Sequence, residues 1–181
     1  MPVTLEQLLQ SRDNRAKHQK DLLEAHSGRS LLCLTVQLPG PEKRNAASLA
    51  IARAGVEAIR EAFNPEYEEL RDLETGYEGY FLVSLPGKEA KIAACRIEDN
   101  HPLGRLMDID VLVQRAEEKY FSCGSPKNHF SSVISLSRVD IGLEPRKCLL
   151  CGNEVRYCMR ARTHTVSELL ERIGQMLEEY L

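Results

Sequence analysis

The sequence predicts an α+β (mixed α/β) fold, a single domain over residues 1–181 with a central sheet flanked by helices and a last helix docked on the core. Three observations predict it. Helix-period and strand-period apolar patterns alternate along the chain without an internal repeat or long linker. A capping box opens a helical pattern near each end, at Thr4-Leu5-Glu6-Gln7 and Thr165-Val166-Ser167-Glu168. A β-rich apolar run from Ser30 to Leu38 stops at Pro39-Gly40-Pro41, because proline supplies no ladder donor.

The first capping box and the stripe Leu5, Leu8, Leu9 predict a helix from about Thr4 to Ala25. Ser30 to Leu38 is the first buried strand. From Asn45, a helix N-cap residue, Leu49, Ala52, Val56, Ile59 and Phe63 recur at steps of three and four until Asn64-Pro65 ends the pattern. Segments around Glu69–Leu73 and Tyr80–Leu85, separated by Gly76 and Gly79, predict a strand pair. Ala90, Ala93, Ala94 and Ile97 then mark a helical face that Asn100-His101-Pro102-Leu103-Gly104 terminates. Arg105 to Val113 alternates, which places Leu106, Asp108, Asp110 and Leu112 on one strand face. The polar stretch Gln114–Ser132 predicts a hairpin or surface loop, and Val133–Ile141 a returning strand that carries Asp140. Val166, Leu169, Leu170, Ile173, Met176, Leu177 and Tyr180 form the apolar stripe of the C-terminal helix.

The charge balance, 24 Lys+Arg against 27 Asp+Glu, creates no field that would gather a polyanion, so no nucleic-acid partner is expected. The first residues lack a basic leader followed by an apolar run, and the longest apolar stretch is far too short to cross a bilayer. These features predict a cytoplasmic protein without a membrane partner. Six cysteines in that setting are expected as reduced thiols or metal ligands. Cys33 and Cys95 lie in apolar patterns and are expected to pack.

Two carboxylates one residue apart on a strand project side by side and can hold Mg²⁺, a hard cation that takes oxygen ligands. With seven aspartates in the chain, about 0.3 such pairs are expected by chance, so Asp108 and Asp110 alone are weak evidence against a solvated strand edge. Leu103-Gly104-Arg105 strengthens the pair, since Gly104 lets backbone approach phosphate and Arg105 offers bidentate contact. Asp140 is a candidate third ligand or base, its bland alternative being an ion pair with Arg138. His101, which titrates near neutrality, is a candidate base, or else a residue that fixes the loop before Pro102. Lys43 and Arg146 belong to basic clusters able to contact phosphate, although most such charges are simply solvated. Cys148, Cys151, Cys158 and His164 supply four potential Zn²⁺ ligands. A single Cys and a distant His make a weaker second half than a tight knuckle, so inert thiols are the competing and commoner outcome.

These residues resemble the citrate lyase holo-acyl-carrier-protein synthases, also called apo-citrate lyase phosphoribosyl-dephospho-CoA transferases. The resemblance rests on Ser11-Arg12-Asp13 with Arg15, Pro39-Gly40-Pro41 with Lys43, the block His101 to Val111, Ser137-Arg138 with Asp140, Pro145 to Cys151, Cys158 and Thr163-His164. It implies a nucleotidyltransferase-like domain that takes 2'-(5''-triphosphoribosyl)-3'-dephospho-CoA. The phosphoribosyl-dephospho-CoA unit would pass to a serine of the apo acyl-carrier (gamma) subunit of citrate lyase, with release of pyrophosphate. Asp108 and Asp110 would hold Mg²⁺, Gly104 and Arg105 would line the triphosphate, and Lys43 and Arg146 would be secondary phosphate contacts. Two rival readings stand beside it: a metal-dependent phosphohydrolase that uses the same aspartates with water as nucleophile, and a non-enzymatic binding module stabilised by zinc, in which the Cys148 to His164 segment matters and the aspartates have no role.

Overall fold

The structure is a computed structural model that describes residues 3–117 and 130–181. Helix α1 (Leu5–Ala25) starts at Thr4, whose hydroxyl accepts from Gln7 N–H while the Gln7 side chain accepts from Thr4 N–H. Strand β1 (Ser30–Val36) follows, then α2 (Ala46–Phe63), capped by Asn45 and closed by left-handed Asn64 before Pro65. Strands β2 (Tyr67–Leu73) and β3 (Gly76–Val83) form a hairpin, α3 runs Gly87–Asn100, and β4 (Met107–Glu117) and β5 (Phe130–Leu136) form a second hairpin. The short α4 (Val155–Ala161) precedes α5 (Val166–Tyr180).

All pairings are antiparallel and the strand order is β2-β3-β1-β4-β5, so the α+β reading holds. The sheet has two apolar faces of unequal weight. On one, Leu32, Leu34, Phe81, Met107, Ile109 and Val111 are sealed by α2, α3 and Ile173, Met176 and Leu177 of α5. On the other, Leu31, Cys33, Tyr80, Leu82 and Leu112 meet Leu22 and Leu23 of α1. Because side chains alternate along a strand, Asp108, Asp110 and Leu112 share the α1 face, with Asp108 opposite Thr35 and Asp110 opposite Cys33. No described helix is long and apolar enough to cross a membrane.

Several expected boundaries change. Gly76 and Gly79 are both inside β3, and the hairpin turns at Glu74-Thr75. Gly104, Arg105 and Leu106 form a 3₁₀ turn, and β4 starts two residues later than the alternation suggests. A Cβ on Gly104 would lie 2.4 Å from the Ile97 carbonyl oxygen and 2.6 Å from that of Glu98, so the close packing against α3 that forms this turn requires glycine. Gln114–Glu117 extend β4 and residues 130–132 belong to β5, while positions 118–129 of the expected loop lie outside the described residues. The expected strand Val133–Ile141 ends at Leu136. Asp140 sits instead in a 3₁₀ turn (Val139–Ile141), where its carboxylate accepts from Ser137 N–H and Oγ–H, both at 2.7 Å. That local hydrogen-bonded turn out-competes the ladder.

Candidate functional site

The site follows from a mismatch in strand length. β5 reaches only as far as Leu136, opposite Val111, so among the described residues Met107 to Asp110 have β1 on one side and no strand on the other. Charged side chains finish the ladder there. Ile109 N–H donates to Glu98 Oε1 (2.8 Å), Lys91 Nζ donates to the Ile109 carbonyl (3.1 Å), and Arg146 Nη2 donates to the Met107 carbonyl (2.5 Å). Glu98 and Lys91 are both buried. Glu98 also pairs with Arg138 at 3.2 Å and Arg146 at 2.8 Å, and Arg138 reaches Asp99 at 2.5 Å. One buried carboxylate thus organises two guanidinium groups and a strand edge.

This arrangement lines a cleft of about 290 Å³ with Asp108 and Asp110 on one wall, Ser137, Arg138 and Arg146 on another, and Arg156 beside them. Asp108 accepts from Gln37 Nε2 at 2.9 Å and faces Arg146 Nη1 at 3.6 Å. Asp110 keeps solvent access in the cleft, yet surrounding protein pushes its pKa above the ordinary carboxylate value, and the neighbouring Asp108 charge adds to the rise. Lys91 and Arg15 oppose it. A pair of like charges held side by side, one of them reluctant to ionise, is a place where a cation or the cationic side of a substrate complex gains free energy.

A second cleft of about 290 Å³ lies on the α1 side, lined by Arg12 and Arg15 of α1, Gln37, Leu38, Lys43 and Glu78 among others. Gln37, which donates to Asp108, belongs to this wall and links the two clefts across the carboxylates. Arg15 is anchored by buried Glu78 at 3.2 Å. Lys43 Nζ donates to the Leu38 carbonyl at 2.5 Å, and enclosure lowers its pKa.

The structure therefore brings Asp108, Asp110 and Arg146 together, and distributes the other sequence candidates. Asp140 is outside the cleft lining, its carboxyl held below the usual range by the Ser137 hydrogen bonds, and Arg138 pairs with Glu98 and Asp99 rather than with it. His101 Nδ1 accepts from Leu103 N–H at 3.0 Å, its ring lies 5.4 Å from that of Tyr180, and burial lowers its pKa. Gly104 packs on α3, and Arg105 donates to the Lys147 carbonyl. Glu98, Lys91, Gln37 and Arg15 were not among the candidates. A signal existed for the first two: Lys91 and Glu98 are seven residues apart, on the α3 face that also buries Ala94. Charges placed in an apolar helical stripe require buried partners.

Beside the cleft, Cys148, Cys151, Cys158 and His164 converge, with all four ligand atoms within 4.8 Å of one another. The Asn153 backbone N–H, then His164 and Cys158, hold the Cys151 thiol down to about 6, whereas enclosure and the neighbouring sulfurs push Cys158 up to about 11. Cys33 behaves as a packing residue, its thiol pushed up to about 12 by burial.

Residues 3–125 and 127–180 match the sequence profile of a family described as apo-citrate lyase phosphoribosyl-dephospho-CoA transferase. The chain is 33% identical over 182 residues to the protein of that name from Escherichia coli O7:K1, covering 98% of this chain and 90% of that one. Identity and coverage are the same for the Shigella boydii serotype 18 protein of that name. A Streptococcus pyogenes serotype M3 protein, titled "Probable apo-citrate lyase phosphoribosyl-dephospho-CoA transferase", is 33% identical over 181 residues, 98% of this chain and 87% of its own.

Proposed function

The chain belongs to the apo-citrate lyase phosphoribosyl-dephospho-CoA transferase family, and we propose that it attaches that prosthetic group to citrate lyase at the cleft beside β4. The donor is 2'-(5''-triphosphoribosyl)-3'-dephospho-CoA and the acceptor a serine of the apo acyl-carrier subunit. The serine oxygen forms a bond to the phosphorus next to the ribose and gives up its proton to solvent or the departing pyrophosphate, the bond from that phosphorus to the bridging oxygen breaks, and pyrophosphate leaves with the bridging electron pair. A phosphodiester results, which makes the enzyme a nucleotidyltransferase in reaction type.

The observation that carries this reading is the Asp108–Asp110 pair at an uncovered strand edge, facing a wall with two arginines. The donor set fits Mg²⁺: two adjacent carboxylates, one with a raised pKa, and neither of them closed off by a bidentate arginine among the described residues. Asp108 and Asp110 would hold the ion, which neutralises charge spread over the phosphate oxygens when bound. The remaining work falls to the chain itself. Arg146 and Arg138, fixed by Glu98, orient phosphate oxygens without reorganising. The second cleft, linked to the first by the hydrogen bond from Gln37 to Asp108, gives a long donor room on the α1 side, where Arg12 and Arg15 meet anionic groups. Asp140 serves the Ser137 turn, which shapes the cleft wall.

Mass spectrometry of apo acyl-carrier subunit incubated with the enzyme, Mg²⁺ and the triphosphoribosyl donor tests the proposal. A gain equal to the phosphoribosyl-dephospho-CoA unit on serine, with one pyrophosphate released per carrier, is expected. An unmodified carrier overturns it, and phosphate release without carrier would assign a hydrolase instead.

A further inference from the structure

The segment from Gly142 to Thr165 has almost no apolar core: Cys148 and Cys158 are its only buried residues, while Leu143, Tyr157 and Met159 are exposed. Burial of two small side chains offsets little of the entropy lost in ordering more than twenty residues. The backbone nevertheless adopts a defined shape. Lys147 bridges Glu154, Cys148 N–H donates to the Asn153 carbonyl at 2.7 Å, and Val155 N–H to that of Arg146 at 2.9 Å, which places Cys148 and Cys151 on one tight turn. Cys158 points back from α4. Arg162, left-handed at φ 49°, and the Thr163 N–H bond to the Cys158 carbonyl (3.1 Å) reverse the chain so that His164 returns to the same point.

The four ligand atoms lie within 4.8 Å of one another, close to the spacing around a tetrahedral ion. Tetrahedral Zn²⁺, with bonds of about 2.3 Å to sulfur and about 2.0 Å to nitrogen, sets neighbouring S···S distances at about 3.8 Å and S···N at about 3.5 Å. Cys151 Sγ lies 3.5 Å from Cys158 Sγ and 3.4 Å from His164 Nε2. A disulfide would need about 2.05 Å between sulfurs. The Asn153 N–H that donates to Cys151 supplies the outer hydrogen bond that orients a thiolate ligand.

We propose that Cys148, Cys151, Cys158 and His164 Nε2 bind one structural Zn²⁺. Each thiol gives up its proton on binding, so the site carries a net charge of about −1. Arg146, Lys147, Arg156, Arg160 and Arg162 lie in the same segment and offset that charge. All four positions are filled by protein, which leaves no open position for chemistry. The ion acts through position: Cys148 is two residues from Arg146, whose guanidinium pairs with Glu98 and completes the β4 edge. The site stands independently of the reaction proposed above.

The test uses the full-length chain purified under reducing conditions from zinc-supplemented culture. Elemental analysis should give about one Zn²⁺ per chain. Cobalt substitution should give the intense visible bands of tetrahedral, thiolate-rich Co²⁺. Zinc removal by a strong chelator should lower the melting temperature, and re-addition should restore it. His164→Cys, which keeps four ligands, should retain the metal and strengthen the sulfur-to-cobalt charge-transfer band. Cys151→Ser should lose it, while Cys95→Ser, outside the cluster, should not. Zinc well below stoichiometric together with colourless cobalt-treated protein overturns the proposal whether or not any variant folds. So does a Cys151–Cys158 disulfide in the freshly purified chain.

Discussion

Glu98→Ala is the perturbation that most directly probes how the cleft is built. Glu98 is buried, and its two carboxylate oxygens serve Ile109 N–H, Arg138 and Arg146. Alanine leaves a buried strand N–H without an acceptor, which costs about 1–3 kcal/mol. It also strips the shared partner from two arginines, and removal of one member of a buried ion pair costs about 3–5 kcal/mol. The arginine side chains are 16% and 21% exposed, so water recovers part of the second loss and the two do not add in full. A total of about 3–5 kcal/mol is expected, or roughly 6–20 °C in melting temperature for a chain of this size. Glu98→Gln keeps the Oε1 acceptor for Ile109 and the side-chain volume, losing only the charge, so about 1–2 kcal/mol is expected. Urea denaturation of the three proteins measures both values. A cost below about 1 kcal/mol for alanine, or equal costs for alanine and glutamine, would refute the claim that this carboxylate holds the edge together.

Further substitutions separate the roles assigned to the other candidates. Asp108→Asn and Asp110→Asn should each lower carrier labelling by about 100-fold or more and abolish any rise in melting temperature on Mg²⁺ addition, read by mass spectrometry and thermal melts. Asp110 also has a pH signature. Its folded pKa is raised, so its contribution favours the fold below the unfolded carboxylate value and is lost as pH rises through the folded value. Asp110→Asn should therefore be at least as stable as the parent at neutral pH, and that advantage should shrink on acidification, which denaturation at two pH values checks. Asp140→Asn should keep labelling within a few-fold and cost about 1 kcal/mol through the Ser137 turn; a loss as deep as that of Asp108→Asn would restore Asp140 to the reacting centre. Gly104→Ala should destabilise by about 1–3 kcal/mol, because the new methyl meets backbone oxygens of α3 rather than a movable side chain.

What could be read from the chain and what could not divides along the range of the interactions. Both terminal helices were marked by capping boxes, which are contacts between residues three apart, and both form as expected. The same holds for α2, whose 3-4 spacing runs from Asn45 to Asn64. Strand endings are different. That β4 begins at Met107 depends on Gly104 meeting α3, and that Val133–Ile141 breaks at Leu136 depends on Ser137 and Asp140 preferring each other to a partner strand. The Asp108–Asp110 pair was legible because one strand suffices to place it. The helical face of Glu98 signals its burial but not its partners Ile109, Arg138 and Arg146, which lie eleven, forty and forty-eight positions away. The cysteine spacing understated its cluster for a related reason: His164 approaches only through the left-handed turn at Arg162, which no sequence pattern requires.

The short reach of β5 explains why the candidate site lies where it does. Had β5 continued, it would have covered Met107 and Ile109 with backbone groups, and Asp108 would have faced a closed ladder. The Ser137–Asp140 turn stops β5, and the chain then passes through the cysteine–histidine segment before α5 closes the core. The freed edge is completed by Glu98 and Lys91 from α3 and Arg146 from that segment. Each of these makes its hydrogen bond to the edge with a charged group, so finishing the ladder concentrates charge around the carboxylate pair. The same substitution of side chains for a strand that stabilises β4 creates the polar cleft. Variants that weaken the edge are therefore expected to lower stability and labelling together, whereas those at Asp108 and Asp110 lower labelling alone, and the contrast between the two sets distinguishes scaffold from chemistry.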